Sequence, residues 1–144
     1  MTHRTLIAIA ALCISTVAFA QATSYRARLS MAPIANQAAQ ATVKGIGTAT
    51  ATLKGSVLTI AGSFEGLATS ATTAKLHVGL KTGVRGPEAF DLQVTKGTSG
   101  TVSGTVQLNK EQLQDLAQGK LYVQVNSEKA PEGNLWGWLL PDKK

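Results

Sequence analysis

Eight short stretches of this sequence alternate apolar and polar residues with a period of two, and that pattern fits strands and nothing else. In a strand successive side chains point to opposite faces, so residues two apart share a side. SYRARLSMA sets Tyr25, Ala27, Leu29 and Met31 against Arg26 and Arg28. GTATATL opposes Ala49, Ala51 and Leu53 to Thr48, Thr50 and Thr52, and SVLTIAGSF aligns Leu58, Ile60 and Phe64. AKLHVGL sets Ala74, Leu76, Val78 and Leu80 against Lys75, His77 and Gly79. AFDLQV aligns Phe90, Leu92 and Val94, TVSGTVQL aligns Val102, Val106 and Leu108, and KLYVQVN aligns Leu121, Val123 and Val125. NLWGWLL opposes Leu135 and Leu139 to Trp136 and Trp138.

Turn-forming residues separate these stretches: Lys54-Gly55, Lys96 to Gly100, and Ala130-Pro131-Glu132-Gly133. Short strands at this spacing predict an all-β domain, an antiparallel sandwich or barrel with one face of each strand buried. One segment breaks the rhythm. In NKEQLQDLAQGK, Leu113 and Leu116 are three apart, Asn109 suits an N-cap, Gln112 stands at the capping-box position, and Gly119 can close the end. This predicts a short crossover helix. Met31 to Lys44 reads as a loop, because Pro33 cannot continue a strand.

The opening MTHRTLIAIAALCISTVAFAQA has a basic start, an apolar run from Leu6 to Phe19, and small residues at Ala18 and Ala20. It reads as a secretory signal cleaved after Ala20 or Ala22, too short for a membrane span. The expected location is periplasmic or secreted. Removing the first twenty of 144 residues leaves 124, enough for a single domain with its own core. It also removes Cys13, the only cysteine, so no disulfide or cysteine chemistry is expected. The formal charge falls from +6 to +5 with Arg4 gone. The basic residues are scattered, without a cluster or a stripe among aromatics, so nucleic-acid binding has no support. A modest attraction to anionic surfaces fits the charge.

The order YRARLSMAP, GIGTATATL, LTIAGSFEGL, AKLHVG…GVRGPEAFDL, LNKEQLQDLAQG and LYVQVNSEKAPEGNLWGWL resembles the CHRD domain, named after repeats in chordin. The likeness covers nearly all of Tyr25 to Leu139. Its most specific pieces are the Gly86-Pro87 turn after a histidine strand and the L-Y-V…P-x-G…G-x-L ending. The resemblance implies an extracellular, immunoglobulin-like β-sandwich of about eight strands. It also implies a His-x-His pair where this chain has Lys75-Leu76-His77, and a His-Thr where it has Asn126-Ser127. A Gly-Glu-Ile-Arg-Gly ending is implied where it has Gly133-Asn134-Leu135-Trp136-Gly137.

Apart from the leader, His77 is the only histidine. A metal site needs three or four ligands, and a cation two residues away at Lys75 works against one, so no metal and no cofactor is expected. No nucleophile elbow, phosphate loop or HExxH is present, and no enzyme is expected. His77 reads instead as a hydrogen-bonded residue of the polar face.

If Leu135 and Leu139 face the core, Trp136 and Trp138 turn outward together. Paired indoles on one face make an apolar platform of the kind that partners bind. Burial under the helix or the Met31–Lys44 loop is the competing reading. By the same parity Tyr122, Gln124, Asn126, Lys75 and His77 join the patch. The expectation is a non-catalytic accessory module docking on another envelope protein through this face. The alternatives are a sugar binder using the tryptophan pair, or a metal-handling protein.

Overall fold

A computed structural model describes residues 21–35 and 37–143, so the leader read at residues 1–20 lies outside the described residues. Eight long strands follow in chain order: β1 (Thr23–Met31), β2 (Ile46–Lys54), β3 (Val57–Glu65), β4 (Ala71–Val78), β5 (Glu88–Val94), β6 (Gly100–Gln107), β7 (Leu121–Ser127) and β8 (Ala130–Trp138). A two-residue β9 (Leu140–Pro141) ends the series. Helix α1 (Gln37–Gln40) lies inside the segment expected to be all loop, and α2 (Lys110–Ala117) precedes β7.

All the strand pairs are antiparallel, and they close on themselves in the order β1-β2-β3-β6-β5-β4-β7-β8 and back to β1. The fold is therefore an eight-stranded barrel, and the immunoglobulin-like sandwich implied by the resemblance is corrected. Closure rests on two short seams. At one, Ser30 and Met31 of β1 pair with Trp136 and Leu135 of β8, and β9 extends the seam to Arg26 and Tyr25. At the other, Gln93 and Val94 of β5 leave β4 to pair with Ser103 and Val102 of β6. Alternation reports only in and out, which a sandwich and a barrel share; these few pairs distinguish them.

The interior is filled by side chains, as in a small barrel. Leu29, Leu58, Ile60, Leu76, Val102, Val123, Val125 and Leu135 are almost wholly buried, with Ala27, Ala49 and Ala51 filling the narrow places between them. Helix α2 carries the expected cap. Asn109 Oδ1 accepts from Gln112 N at 2.8 Å and Gln112 Oε1 accepts from Asn109 N at 3.0 Å. Gly119 takes φ 71° just past the end, and Leu116 drops into the core with Leu113 against it.

Three local expectations need correcting. Leu80 is 75% exposed, because β4 ends at Val78 and the chain leaves as a loop. Met31 is 58% exposed, because it ends β1 beyond the filled interior. The turn expected at Ala130 to Gly133 lies at Glu128-Lys129, and Ala130 already belongs to β8, where an irregularity separates it from the regular ladder.

Candidate functional site: the outer face of β4, β7 and β8

The barrel register carries the alternation of three neighbouring strands into rows. His77, Tyr122 and Trp138 form one row, Lys75, Gln124 and Trp136 the next, and Thr73 and Asn126 a third. All seven residues singled out from the sequence therefore lie on one outer face. Lys75, Asn126 and Trp136, the departures from the pattern that the resemblance implies, all fall within it.

The face is built around Tyr122, which is only 1% exposed. His77 stacks on it at 4.8 Å and 17°, Trp138 lies tilted at 4.4 Å, and Trp136 meets it edge-on at 5.8 Å. The two indoles meet edge to face at 5.7 Å, within the range favoured by aromatic quadrupoles. Both tryptophans are half-buried. Among the described residues neither α2 nor the Met31–Lys44 loop supplies a stacking partner; the loop between β4 and β5 lies across the face instead.

That loop is tied down at Gly86. The Tyr122 hydroxyl donates to the Gly86 carbonyl at 3.2 Å and accepts from the Gly86 N–H at 3.1 Å. His77 Nδ1 lies 3.1 Å from the same carbonyl, which can only accept, so the proton of the neutral ring sits on Nδ1. Nε2 is buried, with no hydrogen-bond partner among the described residues. The imidazole thus has one nitrogen engaged and the other sealed, which suits a packed ring and not a proton carrier.

Arg85, which sequence reasoning did not single out, closes the other half of the face. Its Nη1 donates to Gln124 Oε1 at 3.1 Å and to the Glu132 carbonyl at 3.0 Å. Its Nη2 donates to the Pro33 carbonyl at 2.7 Å, and the guanidinium sits 5.2 Å above the Trp136 ring. The only sequence signal was its place directly before the Gly86-Pro87 turn. Beneath it, Gln124 Nε2 donates to Asn126 Oδ1 at 2.9 Å, and Asn126 Nδ2 donates to Thr73 Oγ1 at 2.9 Å. The buried amides are therefore engaged internally.

Lys75 is not a lone cation beside the imidazole. Its ammonium lies 2.5 Å from Glu88 and 3.4 Å from Asp91, both on β5. The hydrogen bond to Glu88 raises the Lys75 pKa above the ordinary lysine value. A raised lysine stabilises the fold fully below the unfolded value, and that contribution is lost as pH rises through the folded one. The melting temperature should therefore fall above about pH 10, and Lys75→Gln should lose the Lys75 part of that fall in a melting series from pH 8 to 12. Burial raises Tyr25 in the same direction, so a residual alkaline fall remains in the variant.

Among the described residues, no three of His, Cys, Asp and Glu group to hold a metal ion. A comparison with known protein families matches residues 25–139 to the CHRD domain. The chain belongs to the CHRD domain family. No curated protein matches it, and no solved structure does. Membership makes this CHRD domain a binding-type module of extracellular or periplasmic character. Among the described residues no helix is long and apolar enough to cross a membrane.

Proposed function

We propose that this CHRD domain is a non-catalytic envelope accessory protein that docks on another extracytoplasmic protein through Trp136, Trp138 and their neighbours. The observation that carries this reading is the bracing of the two half-buried indoles by Tyr122 below and Arg85 beside. Tryptophan, tyrosine and arginine dominate binding hot spots because they offer large rigid area with few rotors to freeze. Rings already held lose little freedom on binding. The sugar-binding alternative at this face is weaker, because Gln124 and Asn126, the polar groups it would use, hydrogen-bond each other, Arg85 and Thr73.

The test is capture from native envelope extract. Trp136→Ala/Trp138→Ala is expected to weaken partner retention by about thirtyfold or more, the effect of losing one hot-spot residue. Indole emission should shift to the blue in the captured complex. Equal retention by the double variant, with its fold intact by circular dichroism, would rule the face out. An emission change on adding neutral sugars would favour the alternative.

A further inference from the structure

The opposite side of the barrel carries a different surface. On the outside of β2, β3 and β6 the register lines up Thr52, Thr59 and Thr105 in one row, and Thr48, Ser63 and Thr101 in another. Thr50, Ala61 and Ser103 lie between them. The sequence has 14 Lys and Arg and 8 Asp and Glu, yet none of them stands in these rows. Adjacent strands are about 4.8 Å apart and alternate residues about 6.8 Å along each strand, so the rows form a regular hydroxyl lattice. Thr50 bonds the Ala61 carbonyl and Thr101 approaches Thr95; the hydroxyls of Thr48, Thr52, Thr59 and Ser63 have no partner among the described residues.

On β1 the rows continue to Arg28 opposite Thr48, Arg26 opposite Thr50 and Ser24 opposite Thr52. A groove of about 610 Å³ at this corner is lined by Arg28, Thr48, Ser63 and Ser99 together with Glu65, Ile46 and Phe64. A second depression of about 520 Å³ on the same face is lined by Thr59, Ala61, Ser103 and Thr105 together with Asp91. Arg26 is held by Asp142 at 3.3 Å. Arg28 has no hydrogen bond or ion pair among the described residues.

We infer that this face binds a carboxylated polysaccharide, with sugar hydroxyls on the threonine rows and one carboxylate on Arg28. Exchanging water for sugar hydroxyls is close to neutral on its own, so hydroxyl rows supply fit more than strength. Strength requires a charge-assisted bond, and a free guanidinium takes a carboxylate in the two-pronged geometry that ammonium groups cannot offer. The site shares no residue with the aromatic face, so each reading can fail alone.

The probe is polygalacturonate, with its fully methyl-esterified form and dextran as uncharged comparisons, titrated calorimetrically at low salt. Binding is expected for polygalacturonate and about tenfold or more weaker for the ester, since esterification removes the charge-assisted bond. Arg28→Ala should weaken binding by a similar factor, and Arg26→Ala by less. Thr52→Val/Thr59→Val, which keeps branched side chains suited to strands, should weaken it severalfold with an unchanged melting temperature. Trp136→Ala/Trp138→Ala should leave it intact. The inference is overturned by absence of polygalacturonate binding, by wild-type affinity in Arg28→Ala, or by loss in the tryptophan variant. It is also overturned if polyphosphate or duplex DNA binds as tightly and the threonine variant behaves as wild type, since that is charge attraction without a sugar site.

Discussion

Gly86→Ala is expected to destabilise the barrel by about 3 kcal/mol, the upper part of the overpacking range, and to lower the melting temperature by on the order of 10 °C. A Cβ at this position would run into the Val78 carbonyl oxygen and stand 2.7 Å from Gly79 Cα. Both are backbone atoms, so no side chain can swing aside, and the loop itself must lift. Lifting it breaks the Val78 N–H bond to the Pro87 carbonyl at 3.0 Å, both Tyr122 bonds to Gly86, and the hydrogen bond of the His77 ring to the Gly86 carbonyl. The imidazole would then have two unsatisfied nitrogens in a buried place, a penalty beyond the steric one. Gly83, at the tip of the same loop, is the comparison. It has φ 84° but nothing within 4 Å of an added Cβ, so Gly83→Ala should lose only the left-handed preference, about 1 kcal/mol. Thermal unfolding of the two variants side by side is the measurement. Equal losses would show that the loop is not anchored on Gly86.

Much of this arrangement was readable before any coordinates, and the division has a physical cause. Strand parity is a local property, so the outward turn of Trp136 and Trp138 beside Tyr122, Gln124 and Asn126 follows from the alternation itself. The α2 cap was equally local, resting on Asn109, Gln112 and Gly119 within a few residues. Barrel closure was not local: it depends on Ser30 and Met31 reaching Trp136 and Leu135, and on β5 changing partners at Gln93. Arg85 escaped notice for the same reason. Its partners Pro33, Gln124 and Glu132 lie tens of residues away in the chain, and an arginine in a glycine-rich loop looks like any solvated one. The pairing of Lys75 with Glu88 and Asp91 needed the β4–β5 register, which shifts between Leu76 and His77. Membership of the CHRD family narrows the chain to a binding module, whereas the chemistry of its faces had to come from which side chains the register sets side by side.

Tyr122→Ala carries the second large effect. The residue is buried at the centre of the aromatic face, and truncating a buried aromatic to alanine typically removes about 3–5 kcal/mol. Tyr122→Phe separates ring from hydroxyl. It keeps the stack on His77 and the contacts with both indoles, but leaves the Gly86 N–H without its acceptor, so a loss of about 1–2 kcal/mol is expected. Urea unfolding should report both as falls in midpoint at unchanged slope. Indole emission should shift to the red only in Tyr122→Ala, because only there do Trp136 and Trp138 lose the ring they rest on. Gly86→Ala disturbs the loop that Tyr122 holds, so the double variant Gly86→Ala/Tyr122→Ala should lose less than the sum of the singles, by about 1 kcal/mol or more. Additive losses would mean that ring and loop are held independently. In that case the indoles would owe their orientation to Arg85 and to each other, and partner capture should survive Tyr122→Ala while failing in Arg85→Ala.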